Sequence, residues 1–222
     1  MKLNAKTLEV IENFASINPS LLFREGNILT TKNALGTIVG IAKLDQEFNR
    51  EFAIYDLGKF LSVLSLFKEP DLEFGEKQVT INSEKQKIRF TYADPEAIVK
   101  GPAKAGNFPE ATIQFSMSSD LLKTVLKAAG ALSVPNIAIV GDDGKIVIKA
   151  YDQENPTGDT FQYEIGETQK NFTVVFKKEY LQILPFNYEV SIIQKGDQAL
   201  SNFKSDYIDY YVAVEKKGSK FE

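Results

Sequence analysis

Apolar positions along the chain follow two periods. Most of the sequence alternates Val, Ile, Phe, Tyr and Thr with polar residues in short runs, the signature of β-strands. Turn residues break these runs at Glu25-Gly26-Asn27, at Leu35-Gly36 and at Asp142-Asp143-Gly144-Lys145. The last lies between NIAIVG and KIVIKAY, and Asp-Gly between two alternating runs is a strong hairpin signal. Helical spacing is confined to residues 3–17, 56–67, 118–132 and a shorter stretch at 177–184. In the third, Ser118, Ser119 and Asp120 offer N-cap oxygens, and Leu121, Leu122, Val125, Leu126, Ala129 and Leu132 form one stripe to be buried. In the second, Asp56 is the cap and Leu57, Phe60, Leu61, Leu64 and Phe67 form the stripe. Gly58, Lys59, Ser62 and Ser65 face the other way.

These elements recur in order. A strand runs into a helix and then into further strands, with helix starts roughly 50–60 residues apart, a period that indicates a repeated supersecondary unit. Four such units predict an α+β protein of two similar domains, each holding two strand-helix-strands units. Residues 93–112 hold three prolines and two glycines... without clear periodicity and read as a connector. The expected domains are therefore 1–92 and 113–222.

Composition narrows the chemistry. The chain has 222 residues, 43% hydrophobic and 25% charged, which suits a globular protein. It contains neither Cys nor His. Disulfides, thiolate nucleophiles and Cys-based zinc sites are thereby excluded, along with the commonest acid/base near neutral pH. An enzyme would have to work with carboxylates, Lys, Tyr or Ser. No Gly-rich phosphate loop fits: Gly58-Lys59 lacks the upstream glycine, and Gly141–Gly144 sits in a hairpin. Asp206, Asp209 and Glu215 read as strand residues, and no metal or cofactor is expected. The amino-terminal residues lack a signal-peptide core, and no run of about 18 apolar residues predicts a transmembrane helix. A soluble protein of a reducing compartment is the expectation.

The net charge is −4, yet it is unevenly placed. The four predicted helices, with Lys2 added, carry Lys2, Lys6, Lys59, Lys123, Lys127, Lys177 and Lys178 against Glu9, Glu12, Asp56, Asp120 and Glu179. A helical surface more basic than the body would meet phosphates without sequence preference. Only Arg24, Arg50 and Arg89 are available for bidentate base readout. Single lysines on helices ordinarily serve solubility, so the functional reading requires the helices to gather on one surface.

Particular residues resemble a known family. Met1-Lys2-Leu3, Asn13-Phe14-Ala15 and Ile17-Asn18, followed by Ala53-Ile54-Tyr55-Asp56-Leu57, Phe60-Leu61 and Leu64-Ser65-Leu66, are similar to the sliding clamps of T-even-type bacteriophages. Ala93-Asp94-Pro95, Ile137-Ala138-Ile139, Gly144–Ile148, and Val212-Ala213 with Glu215 match in the same order, whereas 96–112 and 153–170 match poorly. The resemblance implies a DNA-clamp fold and a homotrimeric ring, with sheets outside and helices lining the hole. It implies twelve such helices in the ring, non-specific contact with duplex DNA through the seven lysines, and no catalysis. It also implies a DNA polymerase tethered to the ring, a clamp loader that opens it, and viral late transcription factors as further partners. The setting would be the cytoplasm of an infected bacterial host. Subunit joints are expected along strand edges, with Ile88, Phe90 and Tyr92 set against Phe161, Tyr163 and Ile165 of a neighbour. The competing readings are a β-rich virion structural protein and a carboxylate-based hydrolase.

Overall fold

The structure, a computed structural model, describes residues 1–104, 106, 108–195 and 198–221. Ala105 and Asn107 of the expected connector, and Gly196, Asp197 and Glu222 of the expected second domain, lie outside the described residues. The chain divides into two compact units, Met1–Ala105 and Gly106–Glu222.

The first unit opens with α1 (Ala5–Ile17), then β1 (Leu21–Phe23), β2 (Gly26–Lys32), β3 (Ile38–Phe48), β4 (Phe52–Ile54), α2 (Leu57–Leu64), β5 (Asp71–Phe74), β6 (Gln78–Asn82) and β7 (Lys87–Thr91). β1 pairs with β4, β2 with β3, and β5-β6-β7 form a three-stranded antiparallel sheet. α1 starts at Ala5, later than the periodicity implies. Asn4 takes the N-cap, its side chain accepting from the Thr7 amide at 2.7 Å, which leaves Lys2 outside the helix. Thr7, Val10, Ile11, Phe14 and Ile17 form its buried stripe. Asp56 caps α2 through the Lys59 amide at 2.8 Å, and Leu57, Phe60 and Leu64 are buried. Gly40 lets α1 settle on β3, since a Cβ there would stand 2.7 Å from the Phe14 ring.

An aromatic cluster sits in this unit. Phe52 stacks on Phe23 at 4.5 Å, on Tyr92 at 4.8 Å and on Phe74 at 5.1 Å between ring centroids, and Phe48 meets it edge-on at 5.9 Å. Burial raises the pKa of the Tyr92 hydroxyl to about 12, with the Arg50 charge opposing. Residues 93–102 pack into the same unit. Ala93 bridges to Ala53, Asn18 donates to the Val99 carbonyl at 2.9 Å, and Arg24 donates to the Gly101 carbonyl at 3.0 Å. Gly101 lies so close to Thr30 that a Cβ would come within 2.5 Å of its backbone.

The second unit contains β8 (Ile113–Met117), α3 (Ser119–Ala131), β9 (Asn136–Asp142), β10 (Lys145–Tyr151), β11 (Phe161–Glu167), β12 (Phe172–Lys177), β13 (Tyr188–Lys195), β14 (Gln198–Lys204), β15 (Ile208–Ala213) and β16 (Glu215–Phe221). One sheet runs β11-β10-β9-β12-β16. β8, β13, β14 and β15 pair in succession as an antiparallel meander with β8 beside β13. The predicted Asp143-Gly144 turn is present, with φ of 47° and 80°, the left-handed pair that a tight hairpin requires. α3 is capped by Ser118 and buries Leu122, Val125 and Ala129. Phe176, Phe203, Tyr188 and Tyr210 fill the core.

The helix expected at 177–184 does not form. Lys177 ends β12, and only Lys178–Tyr180 make a 3-10 turn. Pro185 pushes Leu184 away from helical backbone, and so short a segment gains little from helix propagation. Leu181, Ile183 and Leu184 bury themselves without a helix. The second unit thus holds one α-helix among its described residues, where the repeat predicts two.

Candidate nucleic-acid interface

The seven lysines fall into distinct local settings. On the first unit, Lys6 points its ammonium at both carboxylate oxygens of Asp45, at 3.0 Å each. Lys2, ahead of α1, lies 3.5 Å from Glu69. Glu9 and Glu12 are exposed on the same helix, so α1 presents no excess of positive charge. Lys59 differs. It is exposed on α2 beside Gly58 and Ser62, and no ion pair holds it among the described residues. Both neighbours are small and exposed.

On the second unit, Lys123 and Lys127 lie one turn apart on the exposed face of α3. Lys123 reaches Asp120 only at 4.0 Å, and Lys127 has no ion-pair partner among the described residues. Asp120 occupies the first helical turn, where its charge complements the helix dipole. Lys177 and Lys178 border a groove at the C-terminal end of α3, with Gly130, Ser133, Asp152, Glu154 and Glu179. Lys177 lies 4.0 Å from Glu179, and its ammonium stands over the Tyr180 ring at 5.5 Å. A hydrogen bond to Tyr180, then the Glu215 charge, raise its pKa.

The three α-helices therefore carry Lys6, Lys59, Lys123 and Lys127 against Glu9, Glu12 and Asp120. Lys2 precedes α1, Lys177 ends β12 and Lys178 opens only the short 3-10 turn, so none of the three lies on an α-helix, which corrects their expected placement. Sequence reading passed over Lys68, exposed in the turn that follows α2. It lies one residue beyond the predicted helix, and its signal is adjacency to that end.

The expected joint residues lie along two sheet edges. β7 is the outer strand of its three-stranded sheet and β11 that of its five-stranded sheet. Phe90 packs edge-on against Phe60 at 5.3 Å, and Tyr92 lies against Phe52, so both are half-buried. Ile88, Phe161 and Ile165 are half-buried too, while Tyr163 is 53% exposed. Among the described residues, no group of three or more acidic side chains is placed to hold a metal. Asp209, half-buried on β15, has its pKa raised by burial, with Lys204 opposing. No helix among the described residues is long and apolar enough to cross a membrane.

Comparison with known proteins identifies the arrangement. Residues 2–100 match the family model for DNA polymerase processivity factors, and residues 114–216 match that for the C-terminal part of the gp45 sliding clamp. The chain is 34% identical to the sliding clamp of Vibrio phage KVP40, covering 97% of this chain and 99% of that one. It is 32% identical to the sliding clamp of Escherichia phage RB69 over 97% of each chain. Solved structures share the fold at low identity. PCNA from Thermococcus kodakaraensis superimposes with a TM-score of 0.66 at 15% identity, covering 95% of this chain and 96% of that one. The DNA polymerase III β subunit from Pseudomonas aeruginosa gives 0.64 at 12%, over 97% of this chain and 63% of that one. With both halves matched by family models and full-length relatives above 30% identity, the chain belongs to the bacteriophage sliding-clamp family of DNA polymerase processivity factors.

Proposed function

We propose that three copies close into a ring around duplex DNA and tether the replicative DNA polymerase, without catalysing any reaction. The observation that carries this reading is the pair Lys123 and Lys127, exposed along α3 in a chain of net charge −4 that belongs to the clamp family. Lysine suits a sliding contact because a flexible ammonium follows phosphates without fixed geometry. Among the described residues each chain has three α-helices, so three copies bring nine, where the four helices expected from the sequence would bring twelve. Lys59, Lys123 and Lys127 then supply most of the mobile positive charge of the inner wall, Lys68, Lys177 and Lys178 add to it beyond the helices, and Lys2 and Lys6 contribute least because Glu69 and Asp45 already engage them. The acidic remainder of the surface discourages DNA from settling elsewhere.

Residues 1–92 and 113–222 act as two similar domains joined by 93–112, and subunits join where Ile88, Phe90 and Tyr92 of one copy meet Phe161, Tyr163 and Ile165 of the next. A clamp loader opens one joint, and late transcription factors share the ring with the polymerase in the cytoplasm of the infected bacterium. A virion structural role would need no exposed lysine pair on α3. Light scattering on the full chain tests the assembly. A trimer is expected, and a monodisperse monomer at high micromolar concentration contradicts it.

A further inference from the structure

An apolar groove lies between the start of α1 and α2 with the turn that follows it. It has a volume of 480 Å³, with Leu3 and Leu8 on one side and Leu61, Leu64, Phe67 and Leu72 on the other. Leu3, Leu8 and Leu61 are half-buried, and the remaining three are buried beneath them. At the matching place in the second unit the chain latches the two sides together. Ser119, the first residue of α3, donates its Oγ to the Pro185 carbonyl at 2.5 Å, and its amide donates to the Asn187 side chain at 2.8 Å. The first residue of α1 is Ala5, which has no hydroxyl to donate and instead lines the groove. Across the opening, Lys2 and Glu69 come within 3.5 Å, an exposed pair of little strength.

The walls dictate the kind of occupant. α1 and α2 spend their backbone groups on intrahelical bonds, and the Leu72 amide is taken by the Met1 carbonyl at 2.9 Å. The groove thus offers no ladder to an extended strand. A helix satisfies its own backbone and enters such a groove through apolar side chains three and four residues apart. Charge selects further. Lys2 is engaged by Glu69, and Lys68 stands outside the lining. Glu12 lines the groove, is exposed and forms no ion pair among the described residues. An acid at that place repels DNA phosphate and attracts a Lys or Arg.

We infer that this groove receives an amphipathic helix of a partner protein, with apolar side chains against Leu61, Leu64 and Phe67 and a Lys or Arg against Glu12. The inference goes beyond the ring reading and does not depend on it, because the groove lies within one unit. It gives a role to an acid of α1 that a DNA contact leaves idle. The groove is also separate from the connector. Asn18, past the C-terminal end of α1, donates to the Val99 carbonyl, while the groove opens at the N-terminal end of that helix. A helix of 13 residues sets the two about 20 Å apart.

Fluorescence anisotropy on the full chain tests the inference, with thermal melting to establish that each variant is folded. The probe is a labelled synthetic helix of Leu and Lys with its leucines on one face, and it is expected to bind saturably. The same helix with Glu in place of Lys is expected to bind about tenfold more weakly, since an acid then faces Glu12. Glu12→Lys inverts that preference. Ser65→Trp and Ala5→Trp fill the groove from exposed positions on its two sides, and each lowers affinity for the Leu-Lys helix about tenfold. Glu110→Lys, at an exposed acid of the second unit, leaves binding unchanged. The inference is overturned by the absence of saturable binding, by equal binding of the two helices, or by Trp variants that bind like the unaltered chain. A loss from Glu110→Lys as large as that from Glu12→Lys overturns it too, since net charge alone would then be at work. Loss of self-association in the Trp variants would place a second copy in the groove and likewise overturn it.

Discussion

Replacing Lys59, Lys123 and Lys127 together by Glu is expected to abolish processive synthesis while leaving the chain folded and assembled. All three side chains are exposed, so their replacement disturbs no packing. Each reversal removes one phosphate-seeking charge and adds one that repels phosphate. Phosphate contact dominates non-specific affinity, and losing three contacts per copy costs at least about tenfold in polymerase processivity at moderate salt. Lys6→Glu is the control. Its ammonium already spends itself on Asp45, so its effect on processivity should be much smaller. Primer extension on a long template, with loader and ATP supplied, gives the product length. Full-length products from the triple variant would show that the helix lysines do not meet DNA.

Phe52→Ala should produce the largest loss of stability in the first unit. Phe52 is 3% exposed and lies against the rings of Phe23, Phe48, Phe74 and Tyr92. Truncating a fully packed Phe costs about 3–5 kcal/mol, because the transfer energy is lost and the cavity cannot fully collapse. β1, β4 and β5 all contribute rings to this cluster, so its loss loosens several strands at once. Denaturant unfolding measures the change. If the two units unfold in separate steps, the shift falls on the first unit's transition alone. A loss under about 1 kcal/mol would mean that the stacked rings are not the mainstay of this core.

Local rules reached much of this fold. The caps at Asp56 and Ser118 and the Asp143-Gly144 turn are short-range features, each decided by a side chain and its immediate backbone, and all stand where the pattern put them. The segment at 177–184 failed because its apolar spacing suits a helix while Pro185 and its short length do not. Burial of Leu181, Ile183 and Leu184 was satisfied by tertiary contacts instead. Start positions slipped for a related reason: the spacing of Leu3 is helical, but Asn4 is the better cap. The lysines themselves were visible in the sequence. Their partners were not, since Asp45 is 39 residues from Lys6 and Glu69 is far from Lys2 along the chain.

Retention on DNA of different topology is the measurement that decides whether this chain acts by encirclement. After loading onto nicked circular DNA with loader and ATP, the chain should stay bound through gel filtration at elevated salt. Cutting the same circle once should release it, because a ring slides off a free end whatever its contacts. Equal retention on circular and linear DNA, falling in parallel as salt rises, would mean that the chain holds DNA by surface charge and not by enclosing it.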